Sequence, residues 1–222
     1  NGNKTLVYNE TADFNLPEEA VLHLQQPVGF KTPYEEPYSH VALKEWKDSS
    51  KFALLPLLVD TKKGVKLLFS ESDLYNYPCM FLKGNGKNGL NAVFPKVPLE
   101  FAEEGDLSMK IIKEADYIAQ TEGNRNYPWR YFVITSEDSQ LIENTMNYKL
   151  ATKSVLEDNS WIKPGLASWE WWHDAALYGP DVNFVSGCNY DTYKYYIDFA
   201  SSFHIPYIVM DAGWAETVLN PN

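Results

Sequence analysis

Two short apolar runs flanking one amphipathic stripe constrain this chain more than any other feature. The first run, Leu166-Ala167-Ser168-Trp169-Glu170-Trp171-Trp172, breaks into His173-Asp174. The second, Tyr207-Ile208-Val209-Met210, stops at Asp211-Ala212-Gly213-Trp214. Between them Tyr193, Tyr196, Ile197, Ala200 and Phe203 recur at three- and four-residue intervals, which predicts a helix with one apolar face. Asn189 is placed to cap its start and Asp191 to complement its dipole, while Pro206 ends it in place of a glycine. Strand, helix and strand with tight connections make a βαβ unit, and such a unit sets its two strands parallel. In parallel sheets ligands gather beyond the carboxyl ends of the strands, and both runs end there in polar and aromatic groups. A single unit leaves wide apolar edges unpaired, and a (β/α)8 barrel needs ~250 residues. The 222 residues are therefore expected to be a piece of a longer protein, the alternative being a smaller mixed sheet.

The residues before this unit follow another rhythm. Val21 to Leu24, Phe52 to Val59, Val65 to Phe69, Met109 to Ile112, Tyr117 to Ala119 and Trp129 to Ile134 are runs of strand length. Turn formers at Asp60 to Gly64, Gly84 to Gly89 and Gly123-Asn124 part them. Leu57 to Phe69 reads as a hairpin, and Ser139 to Asn144 as a short helix. Many short strands without helical stripes of comparable length predict an antiparallel sandwich. The expected fold is mainly β: a β-sandwich over residues 1–160, then the βαβ unit within 161–222, entered through a connector ending at Pro164-Gly165.

Composition excludes some partners. The net charge of -11 argues against nucleic acid, which needs a basic face, and suits a neutral or cationic substrate. No run approaches the ~18 apolar residues of a membrane span. The opening Asn1-Gly2-Asn3-Lys4 is polar, so a secreted protein would be in mature form here. Seven Trp and fifteen Tyr can serve core packing or stack on the CH face of a sugar. Cys79 and Cys188 fall in different predicted domains, and pairing between them needs geometry. With no metal-binding spacing and with His23, His40, His173 and His204 scattered, zinc is not expected.

Asp211 is the sharpest candidate for chemistry. Following four apolar strand residues and near the permissive Gly213, its carboxylate would face a strand-end pocket and accept sugar hydroxyls in charge-assisted bonds. The same residue would equally serve as the cap of a following helix. Trp171, Trp172 and Trp214 would wall the pocket or pack as core; His173 and Asp174 would bind hydroxyls or sit in a solvated loop. In Ser70-Glu71-Ser72-Asp73-Leu74-Tyr75-Asn76-Tyr77-Pro78 the oxygen groups suit a hard cation, though a polar turn explains the stretch without metal. Arg125 and Arg130 are expected to pair with carboxylates at the domain interface, the alternative being surface or interface salt bridges.

That motif, followed by Tyr127-Pro128-Trp129-Arg130, Trp161-Ile162-Lys163-Pro164-Gly165, Ser168-Trp169-Glu170-Trp171-Trp172, Tyr193 to Ala200 and Asp211-Ala212-Gly213-Trp214, resembles glycoside hydrolase family 97 from about Asp13 onward. The resemblance implies an N-terminal β-sandwich followed by the first β-α-β unit of a (β/α)8 catalytic barrel, truncated here. It implies an exported bacterial enzyme, periplasmic or extracellular, acting on α-galactosides or α-glucosides with calcium near its active site. Ser-Trp-Glu-Trp-Trp and Asp-x-Gly-Trp look like the retaining galactosidase branch. Glu71 is similar to the family's calcium-holding glutamate, and Asp211 to its substrate-binding carboxylate. The nucleophile and acid/base are implied to come from later barrel strands, so no catalytic residue is assigned in this chain and the isolated chain is expected to be inactive. Cys79 stands where the family has glycine, and Ala175-Ala176 replace a bulkier pair, which leaves the sugar open. The expectation is thus the N-terminal portion of a retaining α-galactosidase. Its alternatives are an α-glucosidase of the same family, a non-catalytic carbohydrate-binding module, and a structural domain whose tryptophans are core.

Overall fold

In Val21-Leu22-His23-Leu24-Gln25 the two leucines are fully buried and the residues between them half-exposed, the period-two signature of a strand with one face on a core. Leu57 and Val59 repeat it next door. In the computed structural model, which describes residues 4–46, 50–105 and 108–211, these residues belong to a mainly β chain. Its strands are β1 (Lys4–Val7), β2 (Asp13–Asn15), β3 (Val21–Gln25), β4 (Tyr38–Ala42), β5 (Leu57–Asp60), β6 (Lys66–Ser72), β7 (Phe81–Gly84) and β8 (Gly89–Val93). There follow β9 (Pro98–Glu103), β10 (Met109–Glu114), β11 (Ala119–Glu122), β12 (Trp129–Thr135) and the short helices α1 (Ser139–Ile142) and α2 (Met146–Leu150). The last elements are β13 (Ala167–Trp169), α3 (Tyr190–Ser202) and β14 (Tyr207–Val209). The chain forms two compact units, Asn1–Leu99 with Lys113–Lys153, and Glu100–Ile112 with Ser154–Asn222.

The first unit is an antiparallel sandwich. One sheet has the order β12-β6-β5-β3-β4 and the other β2-β8-β7. Leu22, Leu24, Leu57, Val59 and Phe69 from the first sheet and Leu82 and Leu90 from the second share one core with Leu16, Trp46, Met80 and Phe94. Phe14 of β2 meets Phe69 and Phe132 edge-on at 5.1 and 5.6 Å, and the last two stand 4.7 Å apart, so three rings join the sheets. A side chain at Gly89 would meet the Phe14 carbonyl oxygen at 2.3 Å; the close approach of β2 and β8 admits only glycine there. The strand β1 pairs with β11, and β9 with β10.

The expected hairpin is β5–β6 and the expected helix is α1. Other boundaries differ. The expected strand from Phe52 shortens to Leu57–Asp60, since Pro56 has no N–H for a ladder, and the one expected from Tyr117 begins at Ala119. Strands β1, β2, β4, β7, β8 and β9 and helix α2 add to the expected elements; β4 hides because Tyr38-Ser39-His40-Val41-Ala42 has no long apolar run, and β7 and β8 because the glycines of 84–89 mask them.

In the second unit β13 and β14 are parallel, with Ala167 opposite Tyr207, Ser168 opposite Ile208 and Trp169 opposite Val209. The helix between them starts as expected. Asn189 accepts the Thr192 N–H at 3.0 Å, and Asp191 lies in the first turn. Its end corrects the expectation that Pro206 stops it. His204 takes a left-handed φ of 55°, and the Ile205 and His204 N–H groups donate to Ala200 and Ser201 at 2.8 and 3.2 Å, a Schellman closure made with histidine. The buried face is also narrower than predicted. Thr192, Tyr193 and Ala200 are buried, whereas Ile197 and Phe203 are exposed, because two short strands cover little of a helix 13 residues long. The first apolar run extends only over Ala167–Trp169; Glu170–His173 coil into a 3-10 turn.

Candidate functional site

Each unit holds one cluster that bears on the sequence-derived candidates. In the second unit it lies where β13 and β14 end. Asp211 follows β14 and is exposed, and its N–H donates to Glu170 Oε1 at 2.9 Å. Trp171, Trp172 and His173 stand on the 3-10 turn after β13 with Asp174 at its end, all exposed: Trp171 by 48% and Trp172 by 83%. Trp172 lies beside Trp169 at 6.1 Å, and His173 meets Tyr178 edge-on at 6.0 Å. Asp174 and Ala175 both adopt φ of 52°, a left-handed pair without glycine that persists only where surrounding contacts fix it. Trp214 and Gly213 lie outside the described residues.

The residue that draws this end together is one the sequence reading left unassigned. Glu170 is 1% exposed, and its Oε1 also accepts the Tyr193 hydroxyl at 2.8 Å. Its carbonyl accepts the Ala175 N–H at 3.0 Å. Its Oε2 is buried without a partner among the described residues. Burial first, and the Glu170 carboxylate second, hold the Tyr193 phenol above its ordinary pKa, so it stays a donor. The available signal was one carboxylate inside Trp-Glu-Trp-Trp, where a charge is out of place.

In the first unit the antiparallel register sets Arg130 on β12 opposite Glu71 on β6. Arg130 Nη1 lies 3.2 Å from Glu71 Oε2, and Nη2 lies 3.6 Å from Glu10 Oε2. The Met80 N–H also donates to Glu71, at 3.0 and 3.2 Å. The guanidinium lies over the Phe94 ring at 5.5 Å. The Glu71 side chain is only 8% exposed. Burial pushes its carboxyl up to about 7, against the pull of Arg130 and the Met80 N–H.

Arg130 thus pairs with two carboxylates, Glu71 and Glu10, both within the first unit. Arg125 does not: it donates to the Tyr75, Asn76 and Asn126 carbonyls and to Thr121 Oγ1, because the 73–78 loop presents backbone oxygens to it. Asp73 caps the chain on another side, accepting the Thr152 N–H at 2.7 Å and its hydroxyl at 2.9 Å.

Calcium takes six to eight oxygens. Among the described residues no three His, Cys, Asp or Glu converge on one point, and Glu71 is already engaged by a guanidinium and an amide. These residues do not by themselves make a calcium site. Both cysteines are free thiols, Cys79 half-buried and Cys188 exposed.

Residues 1–152 match the family model described as Glycosyl-hydrolase 97 N-terminal, and residues 171–222 match Glycoside hydrolase 97. A Bacteroides thetaiotaomicron protein named retaining alpha-galactosidase is 40% identical over 189 residues, which are 84% of this chain and 28% of that protein. A Streptomyces bingchenggensis protein named probable retaining alpha-galactosidase is 33% identical over 94 residues, 42% of this chain and 13% of its own length. Among solved structures, a family 97 enzyme of Pseudoalteromonas sp. strain K8 in complex with acarbose superposes with a TM-score of 0.70 at 20% identity, covering 93% of this chain and 28% of that one. A variant of such an enzyme in complex with panose gives a TM-score of 0.64 at 20% identity, with 86% and 26% covered. The chain thus spans under a third of the length of each of these proteins.

Proposed function

The chain belongs to glycoside hydrolase family 97, and on that footing we propose that it is the N-terminal portion of an exo-acting enzyme that cleaves α-galactosides with retention. The 40% identity to a protein named retaining alpha-galactosidase supports the sugar and the stereochemistry. A second reading, an α-glucosidase of the same family, draws on the relatives solved with acarbose and panose; at 20% identity they carry less weight.

In this reading Asp211 accepts two hydroxyl hydrogen bonds from the terminal sugar, and an ionised acceptor makes these about twice as strong as neutral ones. Trp171 and Trp172, with Trp214, offer ring faces to the sugar, while His173 and Asp174 reach its hydroxyls. Retention needs a nucleophile and an acid/base about 5–5.5 Å apart. Neither is assigned here, so this chain binds and orients while the remainder of the barrel cleaves. Export to the periplasm or beyond belongs to the same proposal.

The test is an assay of the complete protein on nitrophenyl α-galactoside and α-glucoside, with the anomer followed by NMR. Cleavage of the galactoside with a retained anomer is expected; cleavage of neither removes the hydrolase reading, and sugar binding without turnover puts a carbohydrate-binding module in its place. The 222-residue chain alone is expected to hydrolyse nothing. Asp211→Asn in the complete protein should raise KM about tenfold, the ~1.4 kcal/mol lost when a charged acceptor becomes neutral, with kcat changed far less. An unchanged KM removes Asp211 from the sugar site.

Calcium enters the proposal with Glu71 as one ligand and the others supplied from outside the described residues. Chelation should then lower the melting temperature of the complete protein. No shift on chelation removes the metal.

A further inference from the structure

We propose that Glu170 is a positioning residue for the strand-end site, fixing where the Asp211 carboxylate stands by holding the Asp211 main chain and helix α3 at one of its oxygens. This deepens the reading of Asp211 as a sugar-binding group and rests on it.

Burial is the first observation. Glu170 sits between Trp169 and Trp171, both exposed, yet is itself almost wholly buried. That inverts the ordinary sorting of charged and aromatic groups. Burying a carboxylate costs several kcal/mol unless hydrogen bonds replace its water, so the side chain persists here only through the bonds it makes. Three chain segments supply or enclose them. The end of β14 sends the Asp211 N–H, and the first turn of α3 sends the Tyr193 hydroxyl. The turn after β13 folds back so that Ala175 N–H meets the Glu170 carbonyl, with Ala175 itself buried.

The second observation is which groups are held. The amide bonded to Oε1 belongs to the residue whose carboxylate is open to solvent. Amide and carboxylate share one Cα, so a shift of the first re-aims the second. A misplacement of about 1 Å can cost about a hundredfold in an enzyme site. The third observation is Oε2, buried and without a partner among the described residues. More than about nine in ten buried polar groups have a partner, so this oxygen marks the place of one more donor. Having no solvent-facing surface, it faces another segment of the protein rather than the sugar. Glu170 thereby becomes a hub that ties the end of β14 and helix α3 to the turn after β13.

The experiment is a kinetic cycle on the complete protein with nitrophenyl α-galactoside, comparing wild type, Glu170→Gln, Asp211→Asn and the double variant. A positioning role predicts that Glu170→Gln, whose carbonyl oxygen still accepts both bonds but carries no charge, raises KM about threefold with kcat within about twofold, and an unmoved KM overturns it. On the Asp211→Asn background the same change should cost less than about twofold in KM, because the group it positions is already disabled. Losses that multiply in the double variant, or a fall in kcat with KM unmoved, overturn the proposal and leave Glu170 a structural residue. Should Glu170→Gln not fold, Tyr193→Phe removes the other donor to Oε1 without touching residue 211. It should raise KM about threefold in wild type and not at all with Asp211→Asn; an unmoved KM in wild type overturns the proposal too. A wild-type protein that cleaves neither sugar overturns the hydrolase reading and this inference with it, whereas an active one with multiplicative losses overturns only the role of Glu170.

Discussion

Arg130→Ala is expected to destabilise the sandwich by about 2–3 kcal/mol at pH 8, from lost packing and from the ~1.4 kcal/mol of protonating the Glu71 carboxyl one pH unit above its folded value. Arg130 is the cation next to Glu71 at 3.2 Å and lies near Glu10, and the Glu71 side chain has almost no contact with water. Truncation also strips the Phe94 ring of its guanidinium cover. At about 2–4 °C per kcal/mol, the melting temperature should fall by roughly 5–10 °C. The size of the effect depends on pH, and its sign follows from Glu71. Its carboxyl titrates at about 7 in the folded chain, raised by burial from the ordinary 4.5. A raised value means that the folded state holds the proton more tightly. The resulting stabilisation is complete below about pH 4.5 and is lost as pH climbs through about 7. At pH 5 the carboxyl is neutral with or without Arg130, so the substitution there removes mainly packing. At pH 8 it forces either an unpaired buried charge or a costly protonation. Melting curves at pH 5 and 8, with chelator present, should show the larger drop at pH 8; equal drops at both would remove the ion pair as the cause.

Phe69→Ala should cost about 3–5 kcal/mol at any pH, the range for emptying a buried aromatic site. Phe69 is 2% exposed and stands between Phe14 and Phe132, with Leu57 its neighbour on β5 and Phe132 on β12. The truncation therefore opens a cavity at the point where both sheets meet. Phe132→Ala is the control, because that ring is half out in solvent and should cost about 1 kcal/mol. Phe69→Leu, which keeps most of the volume, should fall between them. Urea unfolding of the three variants at constant m-value gives the comparison. A loss under about 1 kcal/mol for Phe69→Ala would show that the three-ring contact does not hold the sandwich together.

The candidate site divides along the same line as these predictions. Asp211 was visible from its place after Tyr207-Ile208-Val209-Met210, and the aromatic turn from the break at His173-Asp174; both are local patterns. The pairing of Arg130 with Glu71 depends on the register of β6 against β12, which a linear pattern does not state. The role of Arg125 depends on which loop oxygens at 73–78 face it, a matter of backbone conformation rather than residue type.

What the sequence by itself determined is the succession of elements whose signals are local. Two apolar runs and a 3.6-residue stripe specify a parallel βαβ unit, Asn189 its helix cap, and alternation with turn formers an antiparallel sandwich. Such signals act between residues a few positions apart. Only the tertiary structure decided that Glu170 turns inward between exposed tryptophans. Its burial becomes affordable when Tyr193 from the helix and the Asp211 amide from the second strand arrive together, and neither donor lies within reach of Glu170 until the unit has closed.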